Sequence, residues 1–173
     1  IKKLTFLTKS MSQSKMDKLF IDLKIDYKKL NKILFCSVVP KSFGMIKKFL
    51  SKKTILRCHE VKNLNLRSLI KIKANYKQVG SDRLTNATSL INNKTNFIIL
   101  DFGTATTFDV LMKNSYSGGI IAPGVRLSLN TLADKATLIP KINLKKIKKV
   151  IGRDTISAVR SGFFWGYAGL IDN

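Results

Sequence analysis

The stretch that most limits the fold of this chain is IILDFGTATTFDVLM, residues 98–112. An apolar run closes on Asp101, a glycine and a threonine-rich turn follow, and a second apolar run carries Asp109. Two short apolar runs rich in β-branched residues, joined by a turn containing glycine, predict a hairpin. Just beyond it, NSYSGGIIAPG predicts a third strand between turns. VRLSLNTLADKATLI then places Leu129, Leu132, Ala133 and Ala136 on one helical face, and DTISAVRSGFFWGYAGLID predicts a closing helix that starts near Asp154 or Thr155.

Ahead of the hairpin the pattern is more mixed. SKMDKLFIDLK sets Met16, Leu19, Phe20 and Leu23 at i, i+3, i+4 and i+7, a helix with Ser14 as its N-cap. KILFCSVVP predicts a buried strand ended by Pro40, followed by a short helix around SFGMIKKFLSK. TILRC and LIKIKANY predict further strands, and SDRLTNATSLINN a helix. Strands interspersed with helices indicate an α/β architecture.

Composition narrows the function classes. With 173 residues, 45% of them hydrophobic, the chain can form one ordinary domain or two small lobes around a real core. Its 32 Lys+Arg against 10 Asp+Glu give +22, which points either to a polyanion partner or to a lysine-biased proteome. The lysines are scattered and only six of the 32 are arginines, so the second explanation is preferred; the one dense run, KINLKKIKK, fits a solvated surface. Cys36 and Cys58 lack CxxC spacing and are expected to be two buried, reduced thiols. His59 is the only histidine, which excludes His-rich metal sites and argues against a Ser–His triad. The longest apolar stretch, SGFFWGYAGLI, is about half of what spans a bilayer, so a soluble cytoplasmic protein is expected. GxxxxGK[ST], GxGxxG and GxSxG are all missing, so the common nucleotide loops and the hydrolase elbow have no support.

Four motifs carry candidate chemistry. In LDFGTATT, Gly103 lets backbone N–H groups approach anionic oxygens and adopt turn dihedrals, and Thr104, Thr106 and Thr107 offer hydroxyls. Asp101 at the strand mouth can hold a cation that offsets phosphate charge. An ordinary hairpin explains the same residues. In VGSDRLTNA, Gly80 gives an adaptable turn, Asp82 can accept a hydroxyl proton, and Arg83 can grip a carboxylate or phosphate. Plain capping by Ser81 or Asp82 is the alternative. In YSGGIIAPG, the pairs Gly118–Gly119 and Pro123–Gly124 let backbone pack against a ligand or simply form turns. In IGRDTISAVRSG, Thr155 places a hydroxyl at a helix start, again with capping as the alternative, and Gly162 and Gly166 suit close helix packing.

Taken together and in order, SVVP, GSDR, DFGTATTFDV, YSGGIIAPG, IGRDT and SGFFWGYAGLID resemble the type III pantothenate kinases, of the acetate and sugar kinase, Hsp70 and actin superfamily. The resemblance runs from about residue 31 to the end and implies a ribonuclease H-like, actin-like ATPase fold. That fold has mixed sheets flanked by helices in two similar lobes. Residues 1–95 would be the remainder of an incomplete first lobe with the substrate loop, and 96–173 the start of the second with the phosphate hairpin. The implied activity is ATP-dependent phosphorylation of pantothenate, with magnesium on ATP and a monovalent cation, potassium or ammonium. By the same resemblance Gly80, Ser81, Asp82 and Arg83 bind substrate, with Asp82 the general base. Thr155 contacts substrate, Thr104 contacts ATP and Asp101 serves the cation. The family also implies a homodimer.

Three departures from the family pattern stand out. Its opening Asp-x-Gly-Asn-Thr strand has no counterpart, and its continuation past a segment like GLID is missing, so a chain truncated at both ends is expected. The family's substrate-side tyrosine lies further ahead of the loop than Tyr76, which therefore receives no role. The alternative functions are a nucleic-acid-binding accessory transcription protein, weakened by the lack of a helix-turn-helix or aromatic RNA motif, and a superfamily kinase for another small hydroxyl acceptor.

Overall fold

The computed structural model describes residues 12–37 and 40–172. In chain order its elements are α1 (Gln13–Asp22), β1 (Ile33–Phe35), α2 (Pro40–Leu50), β2 (Cys58–Glu60), β3 (Lys71–Ile72) and α3 (Ser81–Ser89). They continue with β4 (Asn96–Phe102), β5 (Ala105–Met112), β6 (Ser115–Pro123), α4 (Val125–Lys135) and α5 (Thr155–Asp172). Strands β1 and β2 form a two-stranded sheet, and the other four are ordered β3-β6-β5-β4. The chain divides into two compact units, Ile1–Phe97 with Leu111–Ser117, and Ile98–Val110 with Gly118–Asn173.

In the first unit β1 and β2 run parallel, Ile33 opposite Cys58 and Phe35 opposite Glu60. So short a pair is marginal alone and needs a helical cover. Met16 of α1 with Phe49 and Leu50 of α2 supplies it, packing with Phe20, Ile33, Phe35 and Cys58. Each such side chain contributes roughly 1.5–3 kcal/mol on full burial. The periodicity of α1 holds: Met16 is buried, while Ile21, off the stripe, is 72% exposed. Its cap is not Ser14, however, but Ser12, whose hydroxyl accepts from the Lys15 amide. Pro40 opens α2, where a missing N–H costs nothing. Val38 and Val39 of the expected SVVP strand end lie outside the described residues.

Two strand expectations shrink. TILRC contributes only Cys58 to β2, because Ile55 is 101% exposed and has no apolar surface to meet. LIKIKANY yields the two-residue β3, paired in parallel with β6 through Lys71–Ser115 and Ile72–Tyr116. The strands β4, β5 and β6 form as expected. Their two-residue connections, 103–104 and 113–114, make neighbours antiparallel. Lys113 takes φ 56 in the second of these turns. Gly118, inside β6, has φ 120, a backbone state that excludes other side chains. In the second unit α4 packs against α5, and Leu129 of the expected apolar face is buried.

Among the described residues no helix is long and apolar enough to cross a membrane. Both thiols are free, as expected, but they are not both buried: Cys36 is exposed and Cys58 is half-buried.

Candidate functional site

The Gly80–Arg83 corner belongs to the first unit and sits at the carboxyl ends of the parallel pair. That is where open α/β sheets place their ligands. Gly80 is the N-cap of α3 with φ −62 and ψ 147, ordinary extended backbone, so its conformation does not itself require glycine. Ser81 is 2% exposed and donates from Oγ to the Ser37 carbonyl at 3.0 Å, just past the end of β1. The Cys36 thiol lies 3.7 Å from the Ser81 hydroxyl, and the Thr85 hydroxyl donates to the Ser81 carbonyl at 2.6 Å with the Cys36 sulfur 3.4 Å away. The Ser37 amide in turn donates to the Glu60 carboxylate at the end of β2. Behind this corner Leu84 and Ala87 bury the inner face of α3.

Asp82 is half-buried in the first turn of α3, where a carboxylate is favoured by the helix dipole. Its Oδ1 accepts the Arg83 amide at 2.8 Å. The approach to Gly80 is held by Lys62, whose Nζ donates to the carbonyls of Val79 at 2.6 Å and Lys77 at 3.0 Å. Bonds to charged donors contribute about 1.5–3 kcal/mol against roughly 0.5–1.5 for neutral ones, so the lysine is the stronger of the two restraints on the corner. Tyr76, left without a role by the sequence, donates from its hydroxyl to the Lys62 carbonyl. Lys62 stands in none of the motifs, and the Ser81–Ser37 bond joins two of them, SVVP and GSDR, that the sequence offers no reason to pair.

The hairpin tip belongs to the second unit. Asp101, Gly103 and Thr104 are exposed there, Thr107 is half-buried and Thr106 is fully buried. The three threonines are therefore not equivalent: only Thr104 presents its hydroxyl outward. Gly103 donates its amide to the Ala105 carbonyl at 2.9 Å, closing the turn without a positive φ. The glycine the tip depends on is Gly124. Its amide donates to the Thr104 carbonyl at 3.0 Å, and a Cβ there would stand 2.3 Å from the Gly103 oxygen and 2.4 Å from that of Thr104. The Pro123–Gly124 pair thus packs against the tip backbone. Tyr167 of α5 ties the same segment down, donating to the Pro123 carbonyl at 2.8 Å and lying 3.0 Å from the Ser128 hydroxyl.

Thr155 is exposed at the first position of α5. The capping is done by its neighbours. Asp154 accepts the Ser157 amide at 2.8 Å and the Ser157 hydroxyl at 2.7 Å, while the Asp154 amide donates back to Ser157. The Ser157 amide, then its hydroxyl, hold the Asp154 carboxyl below the usual carboxylate range, with a smaller contribution from Arg160. Gly152 is demanded by sterics, since a Cβ would meet the Ala158 amide nitrogen at 2.2 Å. Gly162 and Gly166 do not mediate close helix packing: a Cβ at either meets nothing within 4 Å. They line, with Pro123, Leu132, Phe163 and Leu170, an open apolar cleft of about 480 Å³.

A family model for type III pantothenate kinase matches residues 2–173. A type III pantothenate kinase from Pelagibacter ubique (strain HTCC1062) is 65% identical over all 173 residues. This chain belongs to the type III pantothenate kinase family. A second type III pantothenate kinase, from Sulfurihydrogenibium sp. (strain YO3AOP1), is 38% identical over 157 residues, 86% of this chain. The chain spans 70% of the length of the Pelagibacter relative and 60% of the Sulfurihydrogenibium one. Among solved structures, a Campylobacter jejuni protein described as a conserved Baf family transcriptional activator matches with a TM-score of 0.55 and 18% identity. The match covers 91% of this chain and 67% of that one, and at that identity it speaks for the fold alone. The mixed α/β sheets flanked by helices agree with a kinase of the actin-like ATPase fold.

Proposed function

We propose that the protein phosphorylates the primary hydroxyl of pantothenate at the expense of ATP, the first step towards coenzyme A. The observation that carries this is the family match along residues 2–173; the roles of Gly80–Arg83 and Asp101–Thr104 rest on the resemblance of their motifs. In the proposed reaction Asp82 accepts the hydroxyl proton while the substrate oxygen forms a bond to the γ-phosphorus. The bond from that phosphorus to the β-γ bridging oxygen breaks, and ADP leaves. Arg83 grips an anionic group of the substrates, Thr104 meets ATP and Thr155 meets pantothenate.

The donor set suits the cations proposed. No group of three or more His, Cys, Asp or Glu side chains gathers among the described residues, so a divalent cage of protein carboxylates is not built there. Magnesium, which keeps waters and substrate phosphates as ligands, needs no such cage. The exposed carboxylate of Asp101 suits potassium or ammonium. These ions would offset phosphate charge as it develops. A homodimer, a cytoplasmic location and two ribonuclease H-like lobes, 1–95 and 96–173, complete the proposal and rest on the family resemblance. The test is phosphopantothenate formation by the complete protein with potassium and with sodium. Product that requires potassium supports both parts, and no product with either cation refutes the assignment.

A further inference from the structure

Gly80 joins Asp82 to the rest of the first unit through a residue with little conformational resistance of its own. A base carried on such a joint must be held from both sides. On one side the Ser81 hydroxyl grips the Ser37 carbonyl at 3.0 Å. On the other, Lys62 grips the peptide that enters the glycine. Lys62 lies in the single turn Val61–Asn63 just past β2, half-buried, and its Nζ donates to the Val79 carbonyl at 2.6 Å and the Lys77 carbonyl at 3.0 Å. Its ammonium stands 5.8 Å from the centre of the Tyr76 ring, the Tyr76 hydroxyl donates to its carbonyl, and the Arg67 guanidinium covers the same ring at 5.2 Å. A lysine that served only solubility would leave its ammonium in water. This one turns its ammonium onto two backbone oxygens of the segment that enters Gly80.

We propose that Lys62 is a positioning residue for phosphoryl transfer: by holding the Val79–Gly80 peptide it fixes the first turn of α3 and thereby the Asp82 carboxylate. The proposal rests on Asp82 acting as the general base. Misplacement of a reacting group by about 1 Å can cost on the order of a hundredfold in rate, so the effect belongs in kcat.

The test compares Lys62→Met, which keeps the aliphatic stem, with Lys62→Arg, which restores donors, in the complete protein. Lys62→Met is expected to lower kcat about tenfold to a hundredfold per folded molecule, with the KM for ATP within about twofold, and Lys62→Arg to recover most of the loss. Amide hydrogen exchange at residues 80–83, measured against α1 as internal reference, is expected to quicken in Lys62→Met and to return in Lys62→Arg. Wild-type kcat per folded molecule, or unchanged exchange at 80–83, overturns the proposal, and so does a loss that only tracks the folded fraction. Should Lys62→Met fail to fold, Lys62→Gln takes its place under the same criteria. An Asp82→Asn variant with full activity would remove the base assignment separately. If the unsubstituted protein makes no phosphopantothenate, the exchange data alone decide whether Lys62 fixes the turn.

Discussion

At Gly80–Arg83 side chains hold backbone: the Lys62 ammonium reaches the Val79 carbonyl and the Ser81 hydroxyl the Ser37 carbonyl. At the hairpin tip backbone holds backbone: the Gly124 amide meets the Thr104 carbonyl, with no space for even one methyl group between them. The two regions therefore fail differently. A side-chain clamp can be loosened by degrees, because a shorter or weaker donor still fits. A backbone contact at 2.3–2.4 Å from an added Cβ has no intermediate state, so the tip must move or the substitution must be excluded.

The largest effect expected from this contrast is on Asp82. Asp82→Asn should lower pantothenate turnover by roughly 10²–10⁴-fold with modest change in ATP binding, measured by a coupled kinase assay. Turnover at the wild-type level would take Asp82 out of the base position. Next comes Gly124→Ala, expected to destabilise the second unit by about 1–3 kcal/mol in denaturant titration, whereas Gly103→Ala should cost much less. Its added Cβ meets only the Ala105 oxygen, at an ordinary 3.7 Å. Equal costs at the two glycines would mean that the tip is not held from behind by Gly124. Asp101→Ala should abolish the difference between potassium and sodium in the rate while leaving the fold intact by circular dichroism; an unaltered cation response removes Asp101 from that role.

The smallest effect concerns the cap of α5. A carboxyl held below its ordinary range stabilises the folded state above the unfolded pKa, and that contribution is lost as pH falls through the folded value. Melting temperature should therefore drop on acidification from neutral pH with a component that Asp154→Asn removes. A pH profile identical in the variant would show that the Ser157 contacts do not discriminate between the two protonation states.

Much of this architecture was legible in the residues. The hairpin, the third strand and helices α3 to α5 followed from alternation, helical stripes and glycine-bearing turns, and all of them formed. Short apolar runs outside the hairpin were less informative. KILFCSVVP and TILRC resemble buried strands equally well, yet only Ile33–Phe35 and Cys58–Glu60 pair, because a strand needs a partner at its own register and the run does not name one. Ser14 and Ser12 are equally good caps by type, and the geometry of the first turn selects Ser12. The spacing of Gly162 and Gly166 suggested helix packing, but glycine four residues apart also arises where a helix borders an open cleft.

The residues alone determined the family, the order of its motifs and which side chains carry titratable or hydroxyl groups, since these depend only on chemical type and spacing along the chain. Tertiary structure decided which of those groups are held and by what. Lys62 bridging to Val79, Ser81 to Ser37, Gly124 beneath Thr104 and Tyr167 over Pro123 join residues 17, 44, 20 and 44 positions apart. Such contacts leave no periodic trace, because a hydrogen bond depends on where two segments meet in space and not on their distance along the chain.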